Sequence, residues 1–281
     1  YMRIAVSDRY MAGNNTIGNE GQSEEALNLR HAAHKKLVRW FEEYAFQDGQ
    51  GIVSDERAAE EIPYQWQQAK DWKKLQTSLT QQKMLNAILD HRTEQELLSY
   101  WLKLEANIKT DIETQYEKAW KKWKLNEHEE ATGDIAEELS DFLAYGGRYR
   151  ALAKRLRYFT VENRKQIFGE RHKKTNLAID NLANLLRLIG EFDEAELYFR
   201  RAINIAEQIL EGDDLELSRR YAGLGVLFLE CKKNYDEAEK YLSKKGKLLV
   251  AVISLSDHKK ILKFAKKKFL SSVSIFNLIS S

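Results

Sequence analysis

The stretch GNNTIGNEG, from Gly13 to Gly21, has the G-x-x-x-x-G spacing with which a glycine-rich loop wraps phosphates. It continues with Asn19 and Glu20. A phosphate loop needs a lysine there for the charge and a Ser or Thr hydroxyl for Mg2+, so a flexible loop is expected. His31 and His34 stand three apart, with Glu42 and Glu43 a few turns on. A metal ion needs further convergent ligands, so these residues read as polar surface beside a core stripe. His128, among Glu127, Glu129 and Glu130, reads as a solvated linker. Lys121, Lys122 and Lys124 interleave with Trp120 and Trp123, an alternation that could stack bases and hold phosphates. The acids of the preceding TDIETQYEK offset that charge, so both Trp are expected to pack inward. Cys231 is expected to be a small buried apolar residue. No Ser/His/Asp or Cys/His set recurs at readable spacing. The sequence therefore points to no catalytic residue, no cofactor and no metal, and to a protein that is not an enzyme.

The elements that carry these residues are helices. The chain has 281 residues, 43% hydrophobic and 31% charged, and a single proline. Its Leu, Ala, Glu, Lys and Gln favour helix, and few segments alternate with period two. The net charge of +2 does not imply a nucleic-acid role. A lone cysteine excludes an internal disulfide framework and suits a reducing compartment, so a cytoplasmic location is expected. A membrane span needs about 18 apolar residues in a row, and no such run is present. No leader is visible, and the initial Tyr1 reads as a chain lacking its native start.

Three stretches line up: GGRYRALAKRL around Tyr149, GEFDEAELYF around Phe192 and KNYDEAEKYL around Tyr235. The helix before each lines up too, from Leu139, Leu182 and Leu224. The following loops recur as QIFGERHKK and QILEGDDLE. A period of 42–43 residues marks an array of helix–turn–helix units.

The pattern resembles a tetratricopeptide repeat. Leu182, Ala183, Gly190, Phe192, Ala195, Phe199 and Ala202 carry the likeness best. The longer period and the loop after Ile209 and Leu210 resemble the kinesin-light-chain variety. The first unit departs at Leu152, where a small residue is expected, and the third at Lys245. The likeness covers about residues 133–245 and implies an all-α helical-repeat solenoid.

All six tryptophans fall between Trp40 and Trp123, which sets a boundary near 127–133. Asp134 is placed to cap the first repeat helix. Before that boundary, Val6, Arg9 and Tyr10, then His34, Leu37 and Phe41, then Glu61, Pro63, Gln65, Ala69, Trp72 and Leu75, then Tyr100 and Trp101 stand in a recognisable order. This order resembles the segment after the nucleotide-binding module of nephrocystin-like and other STAND-type NTPases, with Ile62 and Tyr64 as mild departures. On physical grounds Pro63 is expected early in a helix. Asp71 starts a further helix, and Trp66, Trp72 and Leu75 serve as core anchors. The expected domains are a winged-helix-like or helical linker end at 1–50, a helical shoulder at 51–130, repeats at 131–245 and an atypical basic tail at 246–281. Three readings of the tail stand open: a capping helix pair, a basic amphipathic segment over Lys259–Phe269, or an out-of-frame or truncated end.

A solenoid of helix pairs exposes a concave face made by the first helix of each unit. The resemblance places Asp134, Glu137 and Asp141 of the first unit on it, with Asp180, Asn184 and Arg187 of the second and Arg219, Val226 and Glu230 of the third. A carboxamide such as Asn184 can grip a peptide backbone whatever its sequence. The implied partner is a protein or peptide; no nucleic acid is expected, and nucleotide enters only through an upstream domain. The expected function is the sensor or scaffold part of a larger STAND-type signalling or defence NTPase. A self-contained adaptor is the alternative, and an enzyme or nucleotide-binding protein a third reading.

Overall fold

The computed structural model describes residues 24–45, 53–91, 94–123, 126, 128–144, 149–209 and 215–242, apart from the side chains of Leu215, Glu230, Tyr235, Glu239 and Leu242. The glycine-rich loop at 13–21, the residues Val6, Arg9 and Tyr10, Lys124, Glu127, Lys245 and the tail at 246–281 lie outside the described residues. Every described element is a helix. The fold is all-α, a helical repeat of tetratricopeptide-like pairs preceded by a helical, Trp-rich segment. The chain divides into two compact units, 1–125 and 126–281.

The first unit contains α1 (Glu24–Tyr44), α2 (Asp55–Gln68), α3 (Trp72–Leu79), α4 (Gln82–His91), α5 (Glu94–Ile108) and α6 (Ile112–Lys122). Capping residues set several starts. Ser54, Asp71 and Asp111 each accept a backbone N–H from the first turn of α2, α3 and α6. Trp66, Leu75 and Trp101 are buried in its core, while Trp72 is half-buried. Trp101 Nε1 donates to the Tyr116 hydroxyl at 3.2 Å, and that hydroxyl donates to the Leu79 carbonyl at 3.1 Å. Burial pushes the Tyr116 phenol upward. Both aromatics thereby fill the core without stranding a polar atom.

Two expectations are corrected in this unit. Pro63 lies deep inside α2 rather than early in a helix. The helix starts well before it, where the Ser54 cap and the acidic Asp55 and Glu56 complement the helix start. His34 is buried, not a surface residue. Its Nδ1 donates to Gln65 Oε1 at 2.6 Å, Gln65 Nε2 donates to Glu61 at 2.9 Å, and Arg57 closes the chain on Glu61 at 3.2 Å. That chain ties α1 to α2. Trp120 and Trp123 are half-buried against each other, Trp123 Nε1 donates to the Thr80 carbonyl, and Lys121 and Lys122 are exposed.

The second unit holds three helix pairs. They are α7 (Glu130–Ala144) with α8 (Arg150–Phe168), α9 (Lys173–Ile189) with α10 (Phe192–Ile209), and α11 (Leu215–Val226) with α12 (Tyr235–Leu242). From α8 onward each helix packs on the one before it. The repeat pattern explains the packing. Ala183, Ala195, Ala202 and Ala206 are fully buried and let backbones approach, while Leu182, Leu186 and Phe199 fill the gaps. Where the first pair has serine in place of Ala183, Ser140 Oγ donates to the Ala153 carbonyl at 2.9 Å. At Gly223 an added Cβ would meet the Phe199 ring at 2.6 Å, so only glycine fits there.

The third pair carries an unforeseen feature. After α11 the chain makes a π turn, Leu227–Cys231, sealed by the Lys232 N–H on the Leu227 carbonyl at 3.1 Å. The fully buried Leu182 and Leu224 are 42 residues apart, but the left-handed turn residues Gly190 (φ 93°) and Lys233 (φ 53°) are 43 apart. The third pair therefore holds one extra residue in its first helix, and the π turn absorbs it. Cys231, within this turn, is half-buried rather than buried. Asp134 is also corrected: α7 begins at Glu130, so Asp134 sits a turn inside the helix and caps nothing.

Candidate functional site

The candidate surface is the face shared by α7, α9 and α11. On α7, Glu130, Asp134, Glu137 and Asp141 recur at gaps of four, three and four, a single acidic row. The row is not open. The buried Arg157 of α8 binds Glu137 and Asp141, and the buried Arg164 binds Asp134 and the Glu130 carbonyl. Lys174 of α9 reaches Glu130, and Asn181 Nδ2 donates to Glu137 Oε1 at 2.6 Å. The Lys174 ammonium holds the Glu130 carboxyl below its ordinary range. Three of the nine expected contact residues, Asp134, Glu137 and Asp141, are thus already engaged inside the molecule.

On α9 the arrangement differs. His172 Nδ1 accepts the Lys174 N–H at 3.2 Å and starts the helix. At the other end the Glu191 N–H bonds the Leu186 carbonyl at 2.9 Å around the left-handed Gly190. Between these ends Asp180, Asn184 and Arg187 are partly buried. Asn184 Nδ2 donates to the Asp180 carbonyl at 3.0 Å. Asp180 Oδ1 and Arg187 Nε are buried without a hydrogen-bond partner. Burial raises the Asp180 carboxyl to about 6, against the pull of Arg220 and with the push of Glu216. Fully buried Asn176 also lacks partners for both polar side-chain atoms. On α11, Arg219 is exposed, while the buried Arg220 lies 3.7 Å from Glu216 and leaves its Nε without a partner.

Val226 does not line an open surface. It is buried with Leu224 and Leu227 in the core of this unit, since an apolar side chain at this position gains by packing with its apolar neighbours. The Glu230 side chain lies outside the described residues. Sequence reasoning missed Arg157 and Arg164, Asn176 and Arg220, and the exposed Leu177 and Leu188. A signal for the arginines was present. Asp134 and Asp141 are seven apart, and so are Arg157 and Arg164. In an antiparallel hairpin equal spacing brings the first acid to the last arginine and the last acid to the first.

The described residues of this face offer hydrogen-bond donors, acceptors and apolar side chains. Among the described residues no three His, Cys, Asp or Glu side chains gather as a metal site would require. No described helix is long and apolar enough to cross a membrane.

Comparison with family models agrees with the repeat. The family model described as "Tetratricopeptide repeat" matches residues 174–244, the stretch that holds nearly all of α9 and reaches just past α12. That repeat is a non-catalytic interaction module and implies a protein-binding scaffold. Among solved structures the chain is similar to BtubC (BKLC) from P. vanneervenii, at 15% identity and a TM-score of 0.42, over 83% of this chain and 94% of that one. It is also similar to nearly identical TPR-like repeats of a Podosopora anserina putative kinesin light chain. That match has 12% identity and a TM-score of 0.44, over 82% and 94% of the two chains. No curated protein matches the sequence.

Proposed function

We propose that the chain binds a peptide or protein surface on the face shared by α7, α9 and α11. The observation that carries this reading is α9 itself. It is the middle first-helix of the array, and its exposed Leu177 and Leu188 flank Asn181 and Asn184. Apolar anchors beside carboxamides suit recognition rather than chemistry. Asp180, Arg187 and Arg219 add polar groups to the same face, while Asp134, Glu137 and Asp141 brace it from α7. The test is a photo-cross-linker at Asn184, compared with one at Leu197, which is open at 64% exposure but belongs to α10. Capture of discrete partners from Asn184 and not from Leu197 supports the reading. Equal capture from both positions sinks it.

A finer reading makes this module the sensor or scaffold part of a larger STAND-type NTPase. Its support is the ordered set of motif residues in the first unit, of which His34, Glu61 and Gln65 form one hydrogen-bonded chain. A G-x-x-x-x-G-K-[ST] encoded upstream in the same reading frame supports it. A start codon immediately before Tyr1 favours the self-contained adaptor.

A further inference from the structure

Leu177, Asn181, Asn184 and Leu188 stand four, three and four residues apart, one straight row along α9. The outer two are exposed leucines, at 52% and 64%. The inner two are carboxamides whose amide nitrogens are already engaged within the unit. Gaps of four, three and four form the seam one helix offers another. The length of the row discriminates between occupants. Its leucines are eleven residues apart, about 16 Å at the helical rise. Side chains on one face of an extended peptide repeat about every 6.6 Å, so that distance spans two and a half repeats and puts the second anchor on the wrong face. It equals about three turns of a helix lying alongside.

The charges at the edges of the row are one-sided. All four acids of the α7 row are paired. Among the described residues, Lys173 and Arg187 of α9 and Arg219 of α11 have no ion pair with a carboxylate, and Arg187 Nε is buried without an acceptor. Of the other carboxylates, Asp180 is mostly buried and feels Arg220 and Glu216 of α11, and Glu216 lies 3.7 Å from Arg220. Positive charge at the edges is therefore left to be matched from outside.

We propose that α9 receives an amphipathic helix of a partner protein, with apolar anchors eleven residues apart, polar residues between them and acidic residues along its flanks. The proposal rests on the reading of this face as the binding face and adds the form and charge of what binds there. Docking aligns the partner along α9, seats its anchors against Leu177 and Leu188, and brings its carboxylates to Lys173, Arg187 and Arg219.

Synthetic peptides test it on the full chain by fluorescence anisotropy. The first probe carries leucines eleven apart, glutamines between them, glutamates on both flanks and alanine elsewhere. The second is identical but has two central alanines replaced by proline, which forbids the helix and leaves an extended chain possible. The expected result is saturable binding of the first probe, weakened by salt, with the proline probe at least about tenfold weaker. Leu177→Asp with Leu188→Asp should weaken the first probe by a similar factor, and unchanged helical circular dichroism would confirm the fold. Equal binding of both probes overturns the helix proposal. So does absence of binding by the first probe. Partner capture at Asn184 would survive either result, so the binding face and the helical occupant fail separately.

Discussion

Two neighbouring seams of the second unit come from one repeat and treat their polar groups oppositely. Between α7 and α9, Lys174 reaches Glu130 and Asn181 reaches Glu137, while Arg157 and Arg164 of α8 clamp the same acids. Between α9 and α11, Asn176, Asp180 and Arg220 bury polar atoms with no partner. A buried unsatisfied group costs about 1–3 kcal/mol, so the second seam starts from a deficit that apolar packing must offset. Phe199 against Gly223, with Leu224 and Leu227 beside them, supplies that packing. The first two pairs form a locked block, whereas the third pair takes its polar ties from α10 instead of α9, through Lys232 on Asp193 and Glu196, Arg200 on the Tyr241 hydroxyl and Tyr221 on Glu207. The seam between α9 and α11 is therefore the one expected to open before that between α7 and α9.

The comparison can be broken most forcefully at the lock. Arg157→Ala should remove about 1–3 kcal/mol from the second unit in urea unfolding, because it leaves Glu137 with Asn181 in place of a cation and strips Asp141 of one. A loss below about 0.5 kcal/mol, the size of an exposed pair, would show that the first seam is not locked by charge.

Asp180→Asn probes the other seam and should act in the opposite direction. The Asp180 carboxyl sits at about 6 in the fold, above its ordinary 3.8. The folded state therefore holds this proton more tightly than the unfolded chain does. That contribution is fully present below about pH 4 and is lost as pH rises through 6. At neutral pH the asparagine variant should be more stable by about 1–3 kcal/mol. The gain should vanish near pH 4, which urea titrations across that range would read. A variant that is less stable at every pH would mean Arg220 depends on Asp180.

The smallest effect belongs to the turns. Gly190 and Lys233 hold the same left-handed position in successive units. Lys233→Gly should stabilise the third pair by about 1 kcal/mol, seen as a small rise in thermal midpoint. No change would place the weakness of the third pair wholly in its polar seam.

The repeat was legible because its signal is local. Leu182, Ala195 and Phe199 declare a helical face within one short window, and Tyr149, Phe192 and Tyr235 repeat it. The acids of α7 were legible as a row but not as a lock, since their arginines lie across a hairpin. Asp134 looked like a cap because the helix start at Glu130 has no stronger marker nearby. Pro63 misled for a related reason: its own preference is for a first turn, and the Ser54 cap far ahead of it overrides that preference. Val226 was assigned to the open face by the resemblance to the repeat, and the third pair buries it beside Leu224 and Leu227 instead.

The residue gained by the third pair bears on how such arrays change over time. An insertion in a helix ordinarily rotates all that follows by about 100°, which would turn the apolar side of α12 away from the core. Widening one turn at Leu227–Cys231 confines the damage. Ala238 remains fully buried, and Tyr241 still stacks on Phe228 at 5.8 Å between ring centres. A lineage can thus lengthen a unit by a single codon and keep its neighbours in place, with the scar legible as a slip from 42 to 43 in the spacing.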